Sequence, residues 1–475
     1  MMNAENRIRM RYVVADLLST ALAVLLFNIY RYFDLPSAYS SFNTLGQFLR
    51  SPMVLAGQLL FPPAMLLVYY LSGIYSRVYM RSRVSELLTT ISTAVIGTLV
   101  IIFVALINDL TLERYHDYSM FLMALGLLTV IVYIPRLLLT CRMQSRIRRG
   151  DVAFNTLIVG YGSHPELFTE QLNRLIPNLG LRPVGFVDAE NTLSSDAVPP
   201  LPMSAINEIT DTINRQNVSR IMVIPNPGSW ERTVGIVSSL IPHDLPILIP
   251  AESLPSFMFS ASIVNLKSDP YIDISSSRQR ASTMNLKRAL DVVVSALVIV
   301  VTFIPGLLAA LAIKIDSRGP VFYTQKRVGH HRRLFTIIKL RTMHVDSEAD
   351  GVARLSRSGD PRVTRVGRIL RRYRIDEFPQ FINVLLGDMS IVGPRPERPQ
   401  FVDEILRREP AYTFVFSVRP GITSLGMVKY GYASTLDQIM RRTRYDMLYI
   451  EHLSIINDLK IILHTINTVV SGKGV

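Results

Sequence analysis

The chain has 475 residues, enough for two or three domains, and nearly half of them are hydrophobic. A formal charge of +14 suits nucleic acid, a membrane surface or phosphate-rich substrates, and a mean hydropathy of +0.28, high for a soluble protein, puts the membrane reading first. Cys141 is the single cysteine, so no intrachain disulfide forms, which fits a reducing cytosolic face.

The chain opens MMNAENRIRMRYVVADLL, basic residues before an apolar run, as a signal peptide would. No small-residue cleavage site follows and three more apolar segments do, so this reads as a retained first span. The four segments cover about 12–33, 52–73, 84–108 and 118–140. Each reaches the roughly 20 residues that an apolar layer of about 30 Å demands. Pro62 and Pro63 are expected to kink the second. Arg7, Arg9 and Arg11 precede the first span, Arg77, Arg81 and Arg83 lie between the second and third, and Arg142, Arg146, Arg148 and Arg149 follow the fourth. The other two loops are poor in Arg and carry Asp34, Asp109, Glu113 and Asp117. Positive charge inside then places both ends of this transmembrane four-helix bundle in the cytoplasm.

Residues 151–283 change character. Thr156–Gly160, Val184–Asp188 and Arg220–Ile224 read as buried strands with helices between, one of them running to Leu175. That alternation predicts a small Rossmann-like α/β domain with a parallel sheet. Gly160 and Gly162 start a dinucleotide fingerprint, but Pro165 stands where its third glycine belongs, so a ligand-free fold is the leading reading. Asp269–Thr283 reads as a linker. Met284–Lys314 is apolar and basic at both flanks: Lys287 and Arg288 before, Lys314 and Arg318 after. It either spans, or enters one leaflet, breaks at Pro305-Gly306 and returns.

Beyond it, Leu334–Leu340 has strand propensity inside a basic run, Lys326 to Arg341. Arg362, Arg365, Arg368 and Arg372 recur at helical spacing beside Val363, Val366, Ile369 and Tyr373. This predicts an amphipathic basic helix, lying either on anionic headgroups or over a core stripe. Asp376 and Glu377 follow, with Arg371, Arg372 and Arg374 just before them. Adjacent carboxylates among guanidinium groups suit a polyanionic substrate and a divalent metal. Pro394 and Pro396 stiffen the backbone on either side of Arg395. None of the eight histidines forms a metal-ligand motif, and His330-His331 reads as a surface pair.

The blocks KRALD (287–291), GPVFYTQKRVG (319–329), KLRTM (339–343), DPRVTRVGRILRR (360–372), DEFPQFINVLLGDMSIVGPRPE (376–397) and RPGIT (419–423) occur in this order. From about Asn285 to Val475 the sequence resembles the bacterial sugar transferases, the polyprenyl-phosphate phosphoglycosyl transferases, and the whole chain resembles their large members. The resemblance implies a mainly α catalytic domain with a re-entrant membrane helix, on the cytoplasmic face of the bacterial inner membrane, in a homodimer. It implies transfer of a sugar-1-phosphate from a UDP-sugar to polyprenyl phosphate in the membrane, without nucleic acid. On these positions it implies Asp376 as nucleophile and Mg²⁺ ligand, Glu377 orienting the metal or handling a proton, and Lys339, Arg341, Arg371, Arg395 and Arg419 holding phosphates. Ile304-Pro305 replaces the family's Ser-Pro at the helix break, and Ser424-Leu425-Gly426 departs from the Gly-Leu-Trp or Gly-Trp of many relatives. Two rivals are a membrane-anchored nucleotide-sugar dehydratase or epimerase and a non-catalytic scaffold of polysaccharide assembly. The first needs a complete glycine fingerprint and a Tyr-x-x-x-Lys base, and no Tyr stands four residues before any Lys. The second leaves the segment from Asp376 to Glu397 without a purpose.

Overall fold

A computed structural model describes residues 2–34, 42–76, 83–108, 114–160, 180–189, 202–224, 230–250, 271–273, 281–348, 360–431 and 433–471. The chain divides into two compact units. The first comprises Met1–Ala153 with Pro177–Gly180 and Arg280–Leu286. The second comprises Phe154–Ile176, Leu181–Gln279 and Lys287–Val475.

Four long apolar helices build the first unit: α1 (Met2–Asp34), α2 (Pro52–Leu71), α3 (Arg83–Asn108) and α4 (Arg114–Arg148). Each contains a stretch long and apolar enough to cross a membrane. Helix α1 packs on α4 and α2, and α3 packs on α4. Pro62 and Pro63 lie inside α2, and the helix runs through both. The radial pattern is the reverse of a soluble bundle. Leu18, Leu59 and Leu122 point outward at 64–66% exposure, while Asp16 and Arg136 are fully enclosed. In an apolar solvent the outward leucines are at home, and the polar groups satisfy each other within.

The second unit begins with a six-stranded sheet in the order β3-β2-β1-β4-β5-β6. Its strands are β1 (Phe154–Gly160), β2 (Leu181–Asp188), β3 (Met203–Ala205), β4 (Arg220–Val223), β5 (Ile247–Pro250) and β6 (Tyr271–Asp273). All pairings are parallel except β5 with β6. This is the doubly wound order that the alternation predicts. Helices α5 (Ile209–Arg215) and α6 (Trp230–Leu240) connect β3 to β4 and β4 to β5. Leu157, Val159, Val187, Ile221, Val223 and Ile249 form the core. The expected linker is corrected at its start: Tyr271–Asp273 adds an antiparallel edge strand to Leu248–Pro250, as the strand preference of Tyr and Ile allows. The helix expected up to Leu175, with Gly162 and Pro165, lies outside the described residues.

Helix α7 (Ala281–Asp316) carries Pro305 and Gly306 inside one helical run, so the expected break does not divide it into two helices. One proline deletes only one of the helix's hydrogen bonds, and the apolar residues on both sides continue the turn. After it come the antiparallel hairpin β7 (Phe322–Val328) and β8 (Leu334–Leu340), then α8 (Arg365–Arg372), α9 (Gln380–Leu386), β9 (Ser390–Val392), α10 (Pro399–Arg408), β10 (Gly421–Thr423), α11 (Leu436–Glu451) and α12 (Ile455–Val470). Strands β9 and β10 pair in parallel. This part is thus mainly helical, with two small two-stranded sheets.

Both ends of α7's apolar stretch dock on this helical part. Near its start, Lys287 Nζ donates to Asp458 at 2.7 Å, and Asp291 accepts from Ser390 Oγ at 2.7 Å and from the Ile391 N–H at 3.2 Å. At its end Ile313 packs with Leu340 and Leu370, and Asp316 accepts from the Val366 N–H at 3.0 Å. Between these anchors Val300, Phe303, Ile304 and Leu307 are all more than 60% exposed.

Candidate active site

A cavity of about 410 Å³ opens between the β7–β8 hairpin, the α8–α9 connection and the loop after β9. Its wall includes Lys339, Arg341, Arg371, Arg374, Asp376, Glu377 and Arg395.

The acid pair sits on a single 3-10 turn, Ile375–Glu377. Arg374 enters that turn with φ at 51°, a left-handed conformation unfavourable to a residue with a Cβ. Both acids are 8% exposed. Lys339 Nζ lies 3.1 Å from Glu377 Oε1, Arg395 Nη1 3.4 Å from the same oxygen, and Arg374 Nη1 3.5 Å from Oε2. Burial alone would raise the Glu377 pKa; Lys339, Arg395 and Arg374 together outweigh it and hold Glu377 well below the usual carboxylate range. Asp376 differs. Burial pushes its carboxyl up to about 6, with Lys339 and Arg371 opposing and the Glu377 charge adding. Among the described residues, Asp376 receives no hydrogen bond and no ion pair. A desolvated carboxylate left unbonded beside a clamped one, facing a cationic cavity, is poised to meet a ligand.

Backbone fit holds Arg395 there. Gly393 and Gly421 pass so closely that a Cβ on Gly393 would stand 2.9 Å from the Gly421 nitrogen and closer still to the Arg419 carbonyl. The Gly421 N–H donates to the Pro394 carbonyl at 2.9 Å. Asp446, buried on α11, accepts from the Gly426 N–H at 2.8 Å and also bonds the Arg395 backbone.

The cations named from the sequence divide. Lys339 and Arg395 meet Glu377 directly. Arg371 donates from Nε to Thr342 Oγ1 at 2.8 Å at the cavity wall. Arg341 lines the cavity too, but its guanidinium donates to the carbonyls of Ser317, at 2.7 Å, and Arg318, closing the C-terminal end of α7. Arg419 lies off the cavity wall, with Nε on the Gly387 carbonyl at 3.0 Å. Pro305 lies inside α7, in the exposed stretch between its two anchors.

Other cavity residues escaped the sequence reading. Arg374 reaches Glu377, although the sequence shows it only as one of several neighbouring arginines. Gln325, Arg327, Glu397 and Arg442 line the cavity as well. Glu397 pairs with the Arg442 Nη2 group and lies 4.0 Å from Arg327 Nη1. For Gln325 and Arg327 the signal is the period-2 pattern of residues 322–328, which only a paired strand makes visible. Of the two placements left open for the amphipathic helix, Ile369 and Tyr373, 58% and 37% exposed among the arginines, suit the one on headgroups. Its inner face is made by Leu370, packed with Ile313 and Leu340.

The donor set is two adjacent carboxylates, and no group of three or more His, Cys, Asp or Glu suited to a metal occurs among the described residues. Hard oxygens in this number fit a cation that completes its shell with substrate phosphates and water, the habit of Mg²⁺.

Comparison with known proteins gives the arrangement a context. The family model described as "Bacterial sugar transferase" matches residues 282–472. A UDP-N-acetylgalactosamine-undecaprenyl-phosphate N-acetylgalactosaminephosphotransferase of Aeromonas hydrophila is 44% identical over 190 residues, 40% of this chain and 44% of the relative. A UDP-glucose:undecaprenyl-phosphate glucose-1-phosphate transferase of Caulobacter vibrioides is 47% identical over 182 residues, 38% of this chain and 68% of the relative. An exopolysaccharide production protein of Rhizobium leguminosarum is 38% identical over 202 residues, 40% of this chain and 98% of the relative. The chain therefore spans less than half of the first of these and nearly all of the last.

Proposed function

Since this chain belongs to the bacterial sugar transferase family, we propose that it transfers a sugar-1-phosphate from a UDP-sugar to undecaprenyl phosphate, releasing UMP. The relatives' names give the reaction class, and the observation that carries it here is the unbonded Asp376 carboxylate beside the clamped Glu377. The product, a polyprenyl-diphospho-sugar, starts the membrane stage of exopolysaccharide, capsule or O-antigen assembly.

The two phosphates to be joined are both anions, and direct attack brings like charges together. A carboxylate nucleophile divides the reaction into two displacements. An Asp376 oxygen attacks the sugar-bearing phosphorus, the bond to the nucleotide's phosphate breaks, and UMP leaves. A phosphate oxygen of the lipid then attacks the same phosphorus, and the bond to Asp376 breaks, restoring the carboxylate. Lys339, Arg371 and Arg395 hold the phosphate oxygens and take up developing charge. Arg341 acts by shaping the wall, while Arg419 supports it by closing the end of α9. Asp376 and Glu377 would hold Mg²⁺, which supplies charge neutralisation on the phosphoryl oxygens when bound.

The exposed middle of α7 enters the membrane and, bending at Pro305, returns to the side it left. Its support is that both anchors of this stretch rest on one helical domain, so that domain does not stand on both sides. A cavity on the cytoplasmic face of the inner membrane is the reading that the arginine-rich loops of the first unit support.

The test is a trapped turnover with UDP-sugar labelled in the sugar-bearing phosphate. Label is expected on the peptide carrying Asp376. Steady product formation with no label on any peptide would exclude the two-step reading.

A further inference from the structure

The cavity has two chemically different ends. Pro320, Arg341, Thr342 and Arg371 line the one that adjoins the C-terminal end of α7 and helix α8. Gln325, Arg327, Glu397, Phe401, Ile439 and Arg442 line the other. The hairpin joins them. Tyr323 pairs with Lys339, Gln325 with Ile337 and Arg327 with Phe335, so Tyr323, Gln325 and Arg327 share one face of β7. At strand rise, Gln325 stands about 7 Å and Arg327 about 13 Å along from the Tyr323–Lys339 pair.

Two polar atoms on this track are buried without a hydrogen-bond partner among the described residues: Gln325 Oε1 and Arg327 Nε. Among the described residues, the rest of the Arg327 guanidinium has a 3.4 Å contact from Nη1 to the Pro396 carbonyl and the 4.0 Å approach to Glu397. Buried polar groups are almost always paired, and unpaired ones in a cavity wall mark where a ligand's polar atoms fit.

Two displacements at one phosphorus decide which part of the donor fits. The outgoing nucleotide phosphate and the incoming lipid phosphate both stand opposite Asp376, so they use the same place in turn. The lipid phosphate arrives from the membrane, which puts that place at the end beside α7 and α8. The sugar hangs from the same phosphorus but takes neither position, so it extends toward the other end. We propose that the donor's sugar lies along the inner face of β7, hydrogen-bonded by Gln325, Arg327 and Glu397. Sugar hydroxyls both donate and accept; the Gln325 amide does both, Arg327 donates and Glu397 accepts. Phe401 and Ile439 cover the less polar face of the ring. This rests on the two-step reaction proposed above.

The experiment uses the full chain in detergent, with wild type, Gln325→Leu and Gln325→Asn. It measures kcat/KM for UDP-hexoses and UDP-N-acetylhexosamines, and inhibition by UMP. Loss of one buried hydrogen bond is expected to lower kcat/KM for the best donor about tenfold and to reorder the donors, with UMP inhibition unchanged. Gln325→Asn keeps the amide but shortens its reach, so it is expected to reorder the donors with the fold intact, and it carries the test if the leucine variant melts early. An unchanged donor order, or an equal loss toward UMP and every donor, would overturn the assignment and give this face to the nucleotide. Labelling of Asp376 in wild type separates the failures. With label present and donor order unchanged, only the sugar site falls; with no label, the two-step premise falls as well.

Discussion

Two clusters of buried charge, one in each unit, solve opposite problems. In the first, Arg136 donates from Nε and Nη2 to the Asp16 carboxylate at 2.7 and 2.9 Å and from Nη1 to Thr90 Oγ1 at 2.9 Å. Tyr75 Oη donates to Asp16 at 2.8 Å, and the guanidinium carbon sits 4.3 Å above the Tyr69 ring. Both charges are spent on each other, inside helices whose outer surface is apolar. In the second, Lys339, Arg374 and Arg395 converge on Glu377 alone, and Asp376 beside it is bonded to nothing described. The closed cluster fixes helices. The open one gathers three cations around one carboxylate, an excess of positive charge that the proposed reaction would use on phosphate. Equal burial thus carries different meanings, and the count of satisfied partners tells them apart.

The sharpest way to break this contrast is Asp376→Asn. It keeps volume and polarity but removes the proposed nucleophile, so turnover should fall by about 10³-fold or more, with UMP release lost together with lipid product. The thermal unfolding midpoint should hold or rise, since an uncompensated buried acid is gone. Retained turnover with an unchanged fold would mean that the openness of this cluster is not catalytic.

The counterpart is Arg136→Leu. Leaving Asp16 buried without its cation should cost about 3–5 kcal/mol of stability in the first unit. The double variant Asp16→Leu with Arg136→Leu should recover most of that, because two apolar side chains also pack there. Unfolding midpoints in one detergent check both. If the double variant were as unstable as the single one, the cluster would be more than a closed structural pair.

A smaller effect is expected from Arg395→Lys. The charge remains, but the planar fork that meets Glu377 and, on the proposed reading, phosphate is lost. The expected outcome is a fall in kcat of about ten- to a hundredfold with an intact fold. Initial rates at saturating UDP-sugar measure it.

These two clusters were legible to different degrees in the sequence. The four apolar runs admit one solution in a membrane, so 12–33 anticipates the described span Asn6–Asp34 closely. That Asp16 would meet Arg136, 120 residues on, depends on how helices pack and leaves no local trace. In the sheet, Thr156–Gly160 and Arg220–Ile224 announce themselves as apolar runs, whereas β3 and β6 have three residues each, too few to show a period. Asp376 and Glu377 stand out as neighbours in sequence. Which arginine reaches them does not, because Arg341 and Arg419 have the same chemistry as Arg395 and turn to backbone carbonyls only through tertiary placement. Gln325 and Arg327 became visible once the hairpin register put them on one face.

The finest test of the contrast is pH against Mg²⁺. Asp376 keeps its proton up to about pH 6, while Glu377 stays ionised below that. The proposed nucleophile acts only as a carboxylate, so kcat/KM should fall about tenfold per unit as the pH drops below 6 at low Mg²⁺. A cation held by Asp376 favours the ionised form, so more Mg²⁺ should carry this acid limb downward by about one unit or more. In the closed cluster no such linkage exists, and the stability of the first unit should show no Mg²⁺ dependence over the same range. An acid limb fixed at one pH across all Mg²⁺ concentrations would mean that Asp376 meets its phosphoryl group without touching the metal, leaving Glu377 alone to hold it.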